Sequence, residues 1–133
     1  KQLKEYMNDQ ISFARNHGYV ETILGRKRHL KDINSRNALL RSHAERNAIN
    51  APIQGSAADL IKKAMIEIHN EFNSLKIKSK MILQVHDELI FDVLPSEKDI
   101  VKMIVKTKME KVYDTSIPLK VEFGFGKNWL EAH

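Results

Sequence analysis

Apolar residues recur at helical spacing in the first part of the chain and then give way to β-forming residues. A helix is predicted over residues 2–17, and Gly18 is a typical residue at a helix C-terminus. Residues 19–24 favour a short strand or a hairpin, with residues 26–28 as its basic tip or as a basic return strand. Residues 32–41 are mostly polar and predict a loop.

A second helix is predicted from Ser42 to about Phe72. Ser42 and Glu45 form a capping-box pattern, and apolar residues follow at steps of three and four. Because proline lacks a backbone donor and crowds the preceding turn, Pro52, with Gly55 close behind, predicts a bend or a break.

The period changes to two over residues 80–94, which predicts a β-hairpin with residues 87–88 as its connection. Ser96 begins a third predicted helix, and residues 119–125 predict a last strand. The fold class predicted is α+β, with an antiparallel sheet of about three strands packed against helices.

Composition and charge narrow the function classes only slightly. The 133 residues carry a net charge of +5, which makes a polyanionic partner such as nucleic acid plausible. Cysteine is absent, so disulfides and thiolate metal sites are excluded and an intracellular setting is mildly favoured. No apolar run reaches the ~20 residues that span a bilayer. The chain begins with Lys1 instead of methionine, which suggests an excised fragment.

The predicted hairpin connection carries two adjacent carboxylates, Asp87 and Glu88, and no glycine. Two like charges at a tight turn repel each other, and a broken local rule of this kind points to a functional site. Divalent metal binding would explain the pair, because Mg²⁺ prefers carboxylate oxygens. The alternatives are an exposed acidic turn and, for the adjacent His86, an ordinary surface histidine.

Two further groups of polar residues suggest nucleic-acid contacts. The first group is spaced by four along one helix face and consists of Arg46, Asn50 and Gln54. The alternative is that this face is simply polar and solvated. The second group is a basic run that would hold phosphates or simply improve solubility, and it consists of Arg26, Lys27 and Arg28.

The chain resembles family A DNA polymerases along nearly its whole length, in the correct motif order. Residues 84–89 (QVHDEL), bracketed by two strands, are similar to the third conserved motif of that family. Residues 44–59 (AERNAINAPIQGSAAD) resemble its long palm helix, and residues 18–28 resemble the stretch that follows the fingers. Residues 118–122 (PLKVE) and 124–133 (GFGKNWLEAH) resemble its C-terminal end.

The resemblance implies two-metal phosphoryl transfer, in which a primer 3′-hydroxyl attacks a dNTP. Asp87 takes the position of a catalytic carboxylate that binds Mg²⁺, Glu88 lies beside the two ions, and His86 lies near the primer terminus. The second carboxylate ligand comes from an earlier motif that this chain lacks. Arg46, Asn50 and Gln54 take positions that contact the DNA minor groove near the primer end.

The implied partners are primer-template DNA, dNTP and the rest of the polymerase chain, with no membrane. Residues 1–133 are expected to form a single domain, the C-terminal part of the palm. Within it, residues 1–41 would be the end of the fingers with the basic hairpin, and residues 42–133 the palm core. The implied location is cytoplasmic, associated with the bacterial nucleoid. The chain alone is expected to be inactive.

Three other functions fit parts of the pattern. A non-catalytic nucleic-acid-binding module would use the basic surplus and the helix face, but it leaves the acidic pair unexplained. A small metal-dependent hydrolase built on His86 and Asp87 needs further ligands. Four other histidines show no metal-ligand spacing with those two residues: His29, His43, His69 and His133. A purely structural α+β domain leaves the ordered run of motifs unexplained.

Overall fold

The computed structural model describes residues 1–132, and they form helices and two small antiparallel sheets. The predicted α+β class is therefore confirmed. A short 3-10 turn at Pro95–Glu97 precedes the third helix. In chain order, the elements are α1 (Gln2–His17), β1 (Tyr19–Glu21), β2 (Lys27–His29), α2 (Ala38–Ser74), β3 (Lys80–Val85), β4 (Glu88–Asp92), α3 (Lys98–Glu110) and α4 (Trp129–Ala132).

The chain divides into two compact units, and the boundary falls within α2. Unit 1 is Lys1–Asp59, and unit 2 runs from Leu60 onward. Within residues 1–132, no helix combines the length and the hydropathy needed to cross a membrane.

Unit 1 packs α1, a β-hairpin and the first part of α2 around a small core. Helix α1 has the predicted bounds and ends at Gly18, which has a left-handed φ of 77° and donates its N–H to the Ala14 carbonyl at 2.7 Å. Strands β1 and β2 pair in antiparallel fashion, which confirms the predicted basic return strand. The buried core residues are Ala14, Val20, Leu30, Ile33, Ala44 and Ala48.

Helix α2 begins four residues before the predicted start at Ser42. The Asn37 side chain accepts hydrogen bonds from the backbone N–H groups of Leu39 and Leu40, at 2.9 and 3.4 Å. Asparagine is as good an N-cap as serine, so the helix begins directly after Asn37, which precedes Ser42 in the chain. The predicted capping box is therefore wrong, and the loop before the helix is shorter than expected.

Helix α2 also continues through Pro52 and Gly55, so the predicted break is wrong. The Ser56 hydroxyl donates a hydrogen bond to the Pro52 carbonyl at 2.5 Å, one turn back along the helix. Gly55 serves a close approach: a Cβ there would lie 2.6 Å from the Thr22 side chain. A bend at Pro52 stays a prediction.

In unit 2, strands β3 and β4 form the predicted hairpin, but its connection lies one residue earlier. Val85 pairs with Glu88, so the two turn residues are His86 and Asp87, and Glu88 is the first residue of β4. This register lets Leu89 and Phe91 pack against the core of unit 2. The buried members of that core are Ile68, Phe72, Val101, Ile104 and Val105.

The predicted strand at residues 119–125 is absent, so the expected three-stranded sheet is wrong. Within the described residues, each sheet has two strands. The Val121 N–H donates to the Glu110 carboxylate at 3.2 Å, and Phe123 packs on the core of unit 2. Because a side chain takes this amide, it does not join a strand ladder.

The open end of the β3–β4 hairpin is closed by Glu97 in the 3-10 turn. Its carboxylate accepts hydrogen bonds from the Lys78 N–H at 3.0 Å, the Ser79 N–H at 2.8 Å and the Ser79 hydroxyl at 2.6 Å. The same hydroxyl accepts a bond from the Leu94 N–H at 3.0 Å. These donors, first of all the Lys78 N–H, hold the pKa of Glu97 below its ordinary value of 4.5.

We expect Glu97 to stabilise the protein only above acidic pH. A folded-state pKa below the unfolded value gives stability that is present above about pH 4.5 and lost as the pH falls through the folded-state pKa. The difference in Tm between the unmodified protein and Glu97→Gln should therefore shrink between pH 6 and pH 3. Glu122→Gln is the control, because the Glu122 side chain has no hydrogen-bond partner among residues 1–132. A Tm difference for Glu97→Gln that is independent of pH would contradict this prediction.

Candidate functional site

Two of the three predicted catalytic residues form the tip of the β3–β4 hairpin, and the third begins β4. His86 and Asp87 are exposed, and Glu88 is half-buried. Among residues 1–132, the Asp87 carboxylate has neither a hydrogen bond nor an ion pair. Asp87 is therefore presented to solvent by a paired strand on each side, a position from which a carboxylate can bind an external cation.

The two carboxylates at the tip are of the type that binds a hard cation, but they are too few to form a complete site. Carboxylate oxygens are the ligands that Mg²⁺ prefers, and Mg²⁺ is usually bound through one or two carboxylates with several waters. No group of three or more acidic, histidine or cysteine residues that could hold a metal occurs within residues 1–132. Asp87 and Glu88 alone would therefore fill only part of a Mg²⁺ coordination shell, and the remaining ligands would have to come from substrate, water or other protein groups.

The predicted groove-contacting residues lie on α2 in unit 1. Arg46, Asn50 and Gln54 are all exposed, and their spacing of four places them along one face of the helix. Within the described part of the chain, none of these side chains is engaged in a hydrogen bond or an ion pair. Ala44 and Ala48 are buried in the core, so packing holds this stretch of the helix while the polar face stays available.

The basic run contains three residues that the structure uses in different ways. Arg26 donates from Nε to the Asp59 carboxylate at 2.8 Å and from its terminal nitrogen to the Gly55 carbonyl at 3.2 Å. Lys27 lies 4.4 Å from the centre of the Tyr19 ring. The Arg28 side chain is exposed and has no partner within residues 1–132. Only Arg28 keeps its whole donor set available to a ligand.

Asp59 has a role that the sequence pattern does not single out. Its side chain is only 9% exposed, and it accepts hydrogen bonds from Arg26 and, at 2.5 Å, from the Thr22 hydroxyl. The Ser56 hydroxyl also accepts a bond from the Ile23 N–H at 2.8 Å. These contacts fasten the turn between β1 and β2 to α2. An aspartate one turn after a helical glycine is the feature that could have indicated this contact.

Positive charge is unevenly distributed between the two units. Unit 1 has ten Lys and Arg residues against six Asp and Glu, a surplus of four. Unit 2 has twelve against eleven, a surplus of one. The arginines of the sequence all belong to unit 1: Arg15, Arg26, Arg28, Arg36, Arg41 and Arg46. The surplus therefore favours unit 1 as the part that meets a polyanion.

Comparison with known proteins gives concordant matches over nearly the whole chain. Borreliella burgdorferi DNA polymerase I is 51% identical over 131 residues, and Caldicellulosiruptor bescii DNA polymerase I is 51% identical over 130 residues. Each alignment covers 98% of this chain but only 14% and 15% of the respective relative. The chain thus spans about a seventh of the length of these curated relatives.

A solved structure is also similar to this chain. It is the POL domain of Pol1 from M. smegmatis in complex with DNA primer-template and dNTP, with a TM-score of 0.95 and 43% sequence identity. The match covers 97% of this chain and 23% of that one. The family model for DNA polymerase family A matches residues 1–131. The resemblance of the sequence motifs is thereby confirmed, and this chain belongs to DNA polymerase family A.

Proposed function

We propose that this chain is part of a DNA-directed DNA polymerase that adds dNTPs to a primer 3′ end and that the chain alone is inactive. The observation that carries the proposal is the exposed Asp87 carboxylate, without a partner among residues 1–132, on a paired hairpin in a member of DNA polymerase family A. The proposed partners are primer-template DNA, dNTP and the remainder of a polymerase chain. The similar POL domain from M. smegmatis was solved in complex with DNA primer-template and dNTP, which supports this choice.

Asp87 is the proposed ligand for divalent metal, with Glu88 beside it as a second candidate ligand. DNA polymerases of this family use divalent metal, and we propose two Mg²⁺ ions. When bound, they would offset charge on the reacting phosphate and on the attacking and leaving oxygens. The contribution of this chain is to hold one carboxylate at a fixed place on the hairpin. The partner carboxylate must come from residues outside this sequence, which explains the predicted inactivity of the chain alone.

Helix α2 is proposed to contact the minor groove near the primer end. Minor-groove acceptors on purine N3 and pyrimidine O2 occur in every base pair, so donors placed there sense pairing without reading the sequence. Arg46, Asn50 and Gln54 carry guanidinium or amide donors, and all three are exposed. His86 is proposed to lie near the primer terminus, beside Asp87 at the hairpin tip.

The basic run is proposed to contact the DNA backbone mainly through Arg28. Phosphate contacts of this kind do not depend on sequence and weaken with salt. Arg26 and Lys27 remain candidates, but their side chains already have partners within unit 1. We further propose that residues 1–41 correspond to the end of the fingers with the basic hairpin and residues 42–133 to the palm core.

We predict that Asp87→Asn greatly lowers turnover in a complete polymerase. The experiment uses a chimera in which residues 1–131 replace the matching segment of B. burgdorferi DNA polymerase I. Asp87→Asn should lower kcat by about 10²-fold or more, because a charge-stabilising group is lost. Primer extension with Mg²⁺ measures this. Asp92→Asn, which neutralises another exposed carboxylate of the same hairpin, should retain activity.

The isolated 133-residue chain should give no primer extension under the same conditions. Extension by the chain above the level of its own Asp87→Ala variant would contradict the predicted inactivity. If Asp87→Asn leaves the turnover of the chimera unchanged, the catalytic role fails, and a non-catalytic nucleic-acid-binding module becomes the better function.

Asn50→Ala in the chimera should weaken binding of primer-template DNA by about 2- to 10-fold, the effect of losing roughly one hydrogen bond. The loss should be similar for all four terminal base pairs, since the minor-groove acceptors are shared. Gel-shift or fluorescence titrations with four primer-templates measure it. Asn47→Ala is the control, because the Asn47 amide bonds to His43 at 3.1 Å within α2. A loss confined to one base pair would argue against a pairing sensor.

Arg28→Ala and Arg26→Ala should have different effects, although the two residues are almost adjacent. Arg28→Ala should weaken DNA binding and reduce the slope of log Kd against log salt by about one. It should leave Tm unchanged. Arg26→Ala should lower Tm, because it removes the ion pair between Arg26 and the largely buried Asp59 carboxylate. Equal effects on Tm from both variants would contradict this assignment.

A further inference from the structure

The backbone at the hairpin tip is held in a conformation that its residue type disfavours. His86 has a φ of 53°, and within residues 1–132 the other non-glycine residue with positive φ is Lys76. Tight hairpin turns normally place glycine, asparagine or aspartate at such positions. For other L-residues, this conformation is disfavoured because Cβ comes too close to the following carbonyl oxygen. Neighbouring groups must therefore hold the His86 backbone in place.

The neighbouring group is the side chain of Gln84, the next-to-last residue of β3. Its amide Nε2 donates a hydrogen bond to the His86 carbonyl oxygen at 2.6 Å. Gln84 is exposed and pairs with Leu89 across the hairpin, so its backbone is fixed by the strand ladder. The bond therefore runs from an anchored residue to the peptide group that joins His86 to Asp87.

The structure assigns Gln84 the role of a positioning residue for the hairpin tip. By holding the His86–Asp87 peptide, it restricts the directions in which the Asp87 carboxylate can be presented. This inference rests on the proposed role of Asp87 in the polymerase. Gln84 acts through the backbone of the turn, and its amide makes no other hydrogen bond within the described residues.

Gln84→Met keeps the length of the side chain and removes the donor. The His86 carbonyl then loses its bond, and the turn equilibrium should shift toward negative φ by about 2- to 10-fold. The one-bond Cα–Hα coupling of residue 86 in the labelled 133-residue chain distinguishes positive from negative φ. We expect this coupling to move toward the value for negative φ in Gln84→Met and to stay unchanged in the matched control Ile82→Met, an exposed residue of the same strand.

A second pair of variants separates the turn from other effects of Gln84. Glycine takes positive φ without steric cost, so His86→Gly should remove the need for the hydrogen bond. The amide shift of Asp87 should therefore respond to Gln84→Met when residue 86 is histidine and hardly respond when it is glycine. An unchanged coupling in Gln84→Met, or an equal response of Asp87 in both backgrounds, would overturn the inference.

The same substitution in the chimeric polymerase tests whether the turn matters for the reaction. Gln84→Met should lower kcat by about 2- to 10-fold with little change in KM for dNTP, because the effect lies in the placement of a catalytic group. An unchanged kcat alongside a changed coupling overturns the positioning role and leaves the proposed function intact. Full activity of Asp87→Asn instead overturns the proposed function, while the couplings still decide the conformation of the turn.

Discussion

Positive φ is sterically disfavoured for histidine, so a hydrogen bond from a neighbouring group stabilises such a residue in a tight turn. At the β3–β4 tip, Gln84 provides that hydrogen bond, and the exposed Asp87 carboxylate depends on it. The opposite end of the hairpin is closed by Glu97, whose carboxylate accepts hydrogen bonds from the backbone N–H and the hydroxyl of Ser79. The hairpin is therefore fixed at both ends by side-chain to backbone hydrogen bonds, in addition to its strand ladder.

In unit 1, too, some polar side chains are bonded within the protein and others are exposed to solvent. Gly55 gives the β1–β2 turn room to approach α2, and the Asp59 carboxylate joins Thr22 and Arg26 at that contact. These bonds fall just beyond Pro52, where one backbone donor is missing from the helix. The exposed side chains of Asn50 and Gln54 thus lie on a stretch of α2 that is supported in two ways. Buried alanines pack on its other side, and the β1–β2 turn is hydrogen-bonded to the helix near Pro52.

Hydrophobic periodicity and helix-terminating residues were enough to predict an element whose ends are set by nearby residues, such as α1. Gly18 ends α1 at the predicted residue because its left-handed conformation is a property of the residue itself. The hairpin register depends on which residues pack against the core, so the turn lies one residue from the predicted place. The strand predicted at residues 119–125 fails for a similar reason: the Glu110 carboxylate, distant in sequence, takes the Val121 amide.

Site residues show the same limit in a different form. A sequence motif makes Asp87 a candidate because its neighbours are characteristic, but the basic run gives three equivalent cations. Packing makes them unequal: Arg26 is bonded to Asp59, Lys27 lies over Tyr19, and Arg28 has no partner among residues 1–132. A cation already paired inside the protein must break that contact, or share it, before it binds a phosphate. For a family whose ligand is a polyanion, the useful criterion is therefore whether each charge is still available in the folded chain.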